Sequence, residues 1–340
     1  MKKDRLNFIL TECTFLRYYG PIIEAAEKNK ITCNMFLGRS NKYNCPRIDK
    51  NKKEIEALSK DLNFNVSDIS KVAHLRNENF ITVEGCGIGN IHESNRIYSL
   101  TYMTDFNALY KRYIDKVHRV IFPSKAFPSF YGIEDHKKHL YLGSPKYDIV
   151  NKLMKRERIE KVYNNKKIDI DNKKCLVMFP RNRDLNNVNL KKIYEILKNN
   201  NYDLIVKTRG KDPVFDSKLR GDYCFQDDSW YPHTTMELLS ISDIVINFSS
   251  TVVKESTMMK KPMINFHIKP FKKPLEELYS FNFVHNMKIR DKSFSESEFE
   301  EAVKIFENNS NLEYNDCIEK FLSNNDNVSQ LIIDNIISEN

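Results

Sequence analysis

The sequence predicts an α/β protein of two domains, each a parallel sheet flanked by helices. Three observations carry that expectation. Short apolar and β-branched runs recur along the chain, among them 6–10 (LNFIL), 80–84 (FITVE), 175–179 (CLVMF), 203–207 (DLIVK) and 244–246 (IVI). Segments of helical period lie between them, which is the alternation that builds βαβ units. A length of 340 residues exceeds what one core usually serves.

Taken in order, residues 6–10 are the first strand, 19–29 a helix opened by Gly20-Pro21, and 31–37 the second strand. This opening places Thr11 to Thr14 at a strand's carboxyl end, where Glu12 is either a carboxylate facing a cleft between the two expected domains or a surface one. Residues 39–60 are rich in Asn and Lys and predict an irregular surface with one helix around Ile55 to Leu58. The strand pattern resumes at 70–75 and 80–84. The glycines at 85, 87 and 89 then make a flexible turn after a strand; no Lys-Ser/Thr follows, so this is not a phosphate-binding Walker loop. Cys86 between two glycines is either a nucleophile or a buried thiol. Residues 96–102 and 117–122 are further strands, and the charged stretch 152–174 reads as the interdomain connection.

In the second half, strand 175–179 ends in Pro180-Arg181-Asn182-Arg183-Asp184. Arg181 and Arg183 on one turn suit bidentate phosphate contact, or else lie on the surface. A helix over 190–199 leads to strand 203–207, which ends in Lys207-Thr208-Arg209. Met236, Leu238, Leu239 and Ile241 give the stripe of a short helix, which Asp243 ends before strand 244–246. A polar turn, Asn247-Phe248-Ser249-Ser250-Thr251, precedes a helix over 252–260 that Lys261-Pro262 stops before strand 263–266. A turn at a strand's carboxyl end and a helix's amino end is where open α/β sheets bind ligands, and its unpaired N–H groups favour phosphate. The hydroxyls of Ser249, Ser250 and Thr251 add donors there, unless they are ordinary caps. Helices at 299–306, 314–321 and 327–337 close the chain.

Composition excludes several classes. Seven scattered cysteines without CxxC spacing rule against a disulfide framework or a zinc site. No apolar run approaches the roughly 18 residues of a spanning helix, and the first residues lead into a strand instead of a signal peptide, so a cytoplasmic protein is expected. The net charge of +8 suits anionic partners, such as nucleotide diphosphates or phosphorylated acceptors, and peripheral association with an anionic membrane face. The basic residues are spread out and no nucleic-acid motif is present, so no nucleic-acid partner is expected. No DxD-like acidic pair stands at a convincing strand end, so no metal site is expected; Asp227-Asp228 is the adjacent pair to test.

Several of these segments together resemble the GT-B-fold nucleotide-sugar enzymes, notably the CDP-glycerol glycerophosphotransferase and UDP-N-acetylglucosamine 2-epimerase superfamily. The motifs are Ser242-Asp243, Ser249-Ser250-Thr251, Glu255 and Lys261-Pro262 in the second half. In the first half they are Ser99-Leu100, Asp105-Phe106, Val120-Ile121-Phe122-Pro123-Ser124 and Tyr141-Leu142-Gly143-Ser144-Pro145-Lys146-Tyr147-Asp148. The resemblance runs through most of residues 95–337. It implies two Rossmann-like domains facing an interdomain cleft: 1–150 on the acceptor side, a linker over 151–174, a donor-binding domain over 175–320, and a last helix over 321–340 returning to the first domain. It implies that Ser249, Ser250 and Thr251 hold the donor diphosphate, that Glu255 binds ribose hydroxyls, and that Arg181, Arg183, Lys207 and Arg209 neutralise phosphate charge. Asp228 falls in a loop that borders the nucleotide in such proteins. Where glycerophosphotransferase-like members have a His-Gly whose His is the suspected base, this chain has Tyr102-Met103. Asp105 is the nearest replacement, with an N-cap as its other role, and Glu12 is a second carboxylate for catalysis.

The activity implied is transfer of a glycosyl group from a UDP- or CDP-type donor to a glycan or lipid-linked acceptor in surface polysaccharide or glycoconjugate synthesis. The donor is a substrate, and no further cofactor is implied. Polyol-phosphate transfer, nucleotide-sugar 2-epimerisation or hydrolysis, and non-catalytic polyanion binding are the alternatives. The oligomeric state is left open.

Overall fold

Thirteen strands among the described residues form two sheets in which every strand pairing is parallel. The structure is a computed structural model that describes residues 4–38, 52–101, 106–208, 214–227, 229–268, 273–308, 311–322 and 325–339. Parallel strands need crossovers and burial on both faces, which is why the strand sequences are nearly continuous apolar runs instead of alternating ones. Two compact units result: residues 1–148 with 319–340, and residues 149–318.

The first unit holds β1 (Arg5–Leu10), β2 (Thr32–Leu37), β3 (Phe64–Asp68), β4 (Asn79–Val83), β5 (Arg96–Leu100), β6 (Arg119–Phe122) and β7 (His139–Tyr141), in the order β3-β2-β1-β4-β5-β6-β7. The second holds β8 (Lys173–Met178), β9 (Tyr202–Lys207), β10 (Tyr223–Phe225), β11 (Ile244–Asn247), β12 (Met263–Phe266) and β13 (Val284–Met287), in the order β10-β9-β8-β11-β12-β13.

Three sequence expectations shift. The strand expected at 70–75 is a 3-10 helix, Ile69–His74, because the Asp68 carboxylate accepts the Ser70 N–H at 2.8 Å and turns the chain; the strand is β3, just before it. The helix expected from residue 19 already begins at its true first turn, Leu16–Lys28, with Pro21 inside it. Within the expected linker, helices Val150–Leu153 and Arg156–Lys166 pack on the helix Thr234–Ser240 of the second unit. There Arg158 and Lys166 both reach the Glu237 carboxylate at 3.3 Å.

Each sheet carries an asparagine ladder. Asn7, Asn34 and Asn65 stand in register on β1, β2 and β3, with Asn65 donating to Asn34 Oδ1 at 3.1 Å and Asn34 to Asn7 Oδ1 at 3.0 Å. Asn247, Asn265 and Asn286 stand likewise on β11, β12 and β13, with Asn247 donating to Asn265 Oδ1 at 3.1 Å and Asn265 to Asn286 Oδ1 at 3.0 Å. The middle amide of each ladder, Asn34 and Asn265, both donates to one neighbour and accepts from the other, which satisfies groups that a parallel sheet would otherwise bury unpaired.

The last helix, Val328–Ser338, belongs to the first unit, where its Ile332, Ile333 and Ile336 are buried. Both of its ends are tied. The Asp148 carboxylate accepts the N–H groups of Val328 and Ser329 at 3.0 and 2.7 Å, an N-cap supplied from far away in sequence. Just past the other end, the Glu339 carboxylate accepts from Tyr98 at 3.0 Å and Arg119 Nε at 2.6 Å and lies 3.0 Å from His118 Nε2, while Arg96 donates to the Glu339 carbonyl.

Acidification is expected to loosen this docking. Burial pushes the Glu339 carboxyl up, but Arg119, Tyr98 and His118 outweigh it and hold it below its ordinary value; burial likewise holds His118 below its ordinary 6.5. Both groups therefore bind protons more readily unfolded than folded. Their stabilisation is whole above about pH 6.5 and is lost as pH falls through the His118 range and then the Glu339 range. Melting curves of the wild type and Glu339→Gln should differ by roughly 4 °C at neutral pH and converge below the ordinary carboxyl value. A gap that is independent of pH would defeat this account. Among the described residues no helix is long and apolar enough to cross a membrane.

Candidate functional site

The second sheet reverses its winding between β8 and β11, which are parallel neighbours with Val177 opposite Ile246. From β8 the chain moves outward through β9 to β10; from β11 it moves the other way through β12 to β13. Side chains beyond the carboxyl ends at such a switch point line a natural crevice. Arg181 follows β8 in extended backbone at the start of the 3-10 helix Asn182–Asn187, and Arg183 is largely exposed, 3.7 Å from Asp184. The turn after β11 brings Ser250 and Thr251 to the same edge, half-buried and exposed respectively.

Ser249 serves the turn itself. Its backbone is left-handed at φ +51°, its N–H goes to Asn265 Oδ1 at 3.0 Å, and its hydroxyl faces the Phe266 carbonyl at 3.5 Å. Asn247 also donates to the Tyr279 hydroxyl at 2.6 Å, and Tyr279 in turn donates to the Ser250 carbonyl. This network fixes where Ser250 and Thr251 project. The helix that follows is shorter than expected, Val253–Met258, because Lys260 turns to φ +53° and the Ser256 hydroxyl donates to the Lys261 carbonyl at 2.6 Å.

Glu255 lies on this helix about one turn past Thr251 and is only 7% exposed. Burial, and after it the nearby Glu255 carboxylate, push the Tyr279 phenol well up. At the two switch-point strand ends, Asn182 Oδ1 and Asn247 Oδ1 are buried and accept no hydrogen bond among the described residues.

Lys207 ends β9, one strand further out. It is 4% exposed and ion-paired with Asp227, whose Oδ1 also lies 3.4 Å from His233 Nε2. His233 packs beside the Trp230 ring at 6.1 Å. The expected cation is therefore part of a Lys–Asp–His cluster. Arg209, Asp228 and Asp105, with Tyr102 and Met103, lie outside the described residues.

The first sheet has its own switch point, between β1 and β4. Glu12 follows β1, half-buried, and its Oε2 accepts from the Thr14 hydroxyl at 3.4 Å. Glu84 follows β4, buried and left-handed at φ +49°, with Gly85 at φ +65° after it. A Cβ on Gly85 would stand 2.5 Å from the Tyr113 ring, so the turn needs glycine for both space and conformation. Burial pushes the Cys86 thiol up to about 12, with Glu84 and Glu12 adding to it, which disfavours the thiolate that a nucleophile needs. Glu12 and Glu84 thus both act on one half-buried thiol. Sequence reading passed over Glu84, Asn182, Asn247 and His233; only Glu84 carried a local signal, a charged residue closing an apolar strand just before a glycine. Among the described residues no three His, Cys, Asp or Glu side chains converge as metal ligands.

No family model matches the chain, and no curated protein matches it in sequence. Solved structures do resemble it. A variant of the wall teichoic acid polymerase TagF is 14% identical, with a TM-score of 0.62 over 100% of this chain and 90% of that one. The Methanocaldococcus jannaschii UDP-GlcNAc 2-epimerase in complex with UDP-GlcNAc and UDP is 15% identical, with a TM-score of 0.59 over 99% of this chain and 100% of that one. A glycosyltransferase from Rickettsia africae is 14% identical, with a TM-score of 0.57 over 100% and 99%. At such identities the likeness is one of fold, and together with the two parallel sheets it gives this chain the two-domain α/β architecture of the GT-B fold.

Proposed function

We propose that the chain is a transferase that binds a nucleotide-diphosphate donor at the carboxyl edge of the second sheet and moves its glycosyl group to a glycan or lipid-linked acceptor. One observation carries this reading. Two buried side-chain acceptors that have no partner among the described residues, on Asn182 and Asn247, stand at the switch point beside Arg181 and the Ser250–Thr251 turn. Orphaned buried polar atoms are costly, and a bound ligand relieves that cost. Arg181 and Arg183 supply cations for a diphosphate leaving group, Ser250 and Thr251 supply hydroxyl donors, and Glu255 supplies a buried acceptor for ribose. On the first unit, Asp105 and Glu12 are the carboxylates proposed to take the acceptor's proton. The similar structures named for teichoic acid polymerisation and glycosyl transfer support the class. Polyol-phosphate transfer uses the same donor contacts and differs in the group moved.

A thermal-shift panel of UDP, CDP, GDP and ADP tests the donor site. One nucleotide is expected to raise the melting temperature by several degrees at millimolar concentration. Flat curves for all four, from folded protein, would overturn the proposal. A second reading, epimerisation or hydrolysis of a nucleotide sugar, draws support from the Glu12 and Glu84 carboxylates around Cys86 and from the UDP-GlcNAc 2-epimerase among the similar structures. Release of free UDP without any acceptor would favour it.

A further inference from the structure

The amino edge of the second sheet, opposite the candidate donor site, carries a cavity of two adjoining lobes of about 430 and 370 Å³. Lys260, Leu312 and Tyr314 line both lobes. The first residues of β8, β9 and β11 (Lys173, Tyr202 and Ile244) line the larger one, which places it away from Arg181 and Ser250.

Three features say what it takes. Tyr314 is 7% exposed and stacked on Phe283, with ring centres 4.5 Å apart, yet its buried hydroxyl has no hydrogen-bond partner among the described residues. A hydroxyl so placed points to a ligand that completes it. Glu307 in the larger lobe is held by Lys173 at 2.9 Å and by the Tyr202 hydroxyl, which leaves an oriented carboxylate with acceptor capacity to spare. Finally, the lining sets two ammoniums, one of them already matched by Glu307, against the carboxylates of Asp243, Glu307, Glu313 and Asp316. That balance rejects phosphates and nucleotides. Aromatic and aliphatic walls, fixed carboxylates and the Lys260 ammonium instead match a ring that offers a C–H face and many hydroxyls, each able to donate and to accept.

We propose that this cavity binds a neutral oligosaccharide. The site is separate from the donor site and stands whether or not the donor reading holds.

Titration calorimetry on the whole protein tests it, with cellotetraose and tetra-N-acetylchitotetraose as neutral probes and tripolyphosphate as the anionic one. At least one saccharide is expected to bind in the millimolar range or tighter. Tyr314→Phe should weaken that binding by roughly five- to tenfold while leaving the melting temperature unchanged or higher, since it deletes an unmatched hydroxyl. Glu307→Gln should weaken it as well, and neither variant should alter the response to UDP or CDP. Absence of binding by both saccharides, equal binding by Tyr314→Phe, or displacement of the saccharide by tripolyphosphate would overturn the proposal.

Discussion

Exchanging Glu255 for glutamine is expected to weaken donor binding by about 2–3 kcal/mol, roughly 30- to 150-fold. Glu255 is buried beside Tyr279, behind the turn that carries Ser250 and Thr251. A carboxylate there can accept two ribose hydroxyls at once. The amide keeps the volume but presents one donor side to a partner that needs an acceptor, so the loss exceeds that of a single neutral hydrogen bond. With a nucleotide at a hundred times its dissociation constant, the wild type gains about 2.7 kcal/mol, and a hundredfold weaker variant gains only about 0.4. The thermal shift should fall from roughly 8 °C to roughly 1 °C, while the melting temperature without nucleotide stays nearly unchanged. In turnover, the same substitution should raise KM for the donor and spare kcat, because ribose contacts are equal in ground and transition states. An undiminished shift would remove Glu255 from the donor site.

The largest effect on stability is expected from Asn265→Leu. Asn265 is fully buried, and its one side chain serves three groups: Asn247 Nδ2, the Ser249 N–H and Asn286 Oδ1. Leucine fills the space and satisfies none of them. At about 1–3 kcal/mol for each buried group left unmatched, and with Asn286 partly solvated, the cost is roughly 3–5 kcal/mol, or a melting temperature about 10 °C lower. The companion ladder provides a control. Asn65 makes the same kind of bond to Asn34 but is exposed, so water replaces it, and Asn65→Ala should cost less than about 1 kcal/mol. Equal losses at the two positions would show that burial is not what gives the Asn265 bonds their weight. Because Asn265 sets the left-handed Ser249, the variant should also lose nucleotide binding at temperatures where it is still folded.

What could be read from the sequence tracks how local each signal is. Ile244-Val245-Ile246 is β-branched, buried on both faces and followed by a polar turn, so strand and turn were both legible. β3 was not, because Phe64-Asn65-Val66-Ser67-Asp68 is half polar at a sheet edge, while the apolar residues Ile69, Val72 and Leu75 just after it belong to a 3-10 helix and its C-cap, together too short to show a helical period. β10 and β7, three residues each, are too short to carry a period. At the site, hydroxyls in a turn announce themselves, but the partner that claims the Ser249 N–H lies sixteen residues on and reaches it through sheet register. The pairing of Lys207 with Asp227 is hidden in the same way, since it depends on β10 lying beside β9.

The tied last helix has a consequence for the order in which the chain matures on the ribosome. The unit that is translated first holds a place for residues 319–340, so it is the last to be completed. At about 5–20 residues per second, the intervening unit takes roughly 10–30 s to emerge, and it can fold while its predecessor waits. Through that interval the seat of Ile332, Ile333 and Ile336 stays uncovered. Arrival of the last helix then closes the first unit from both ends at once, through Asp148 and Glu339.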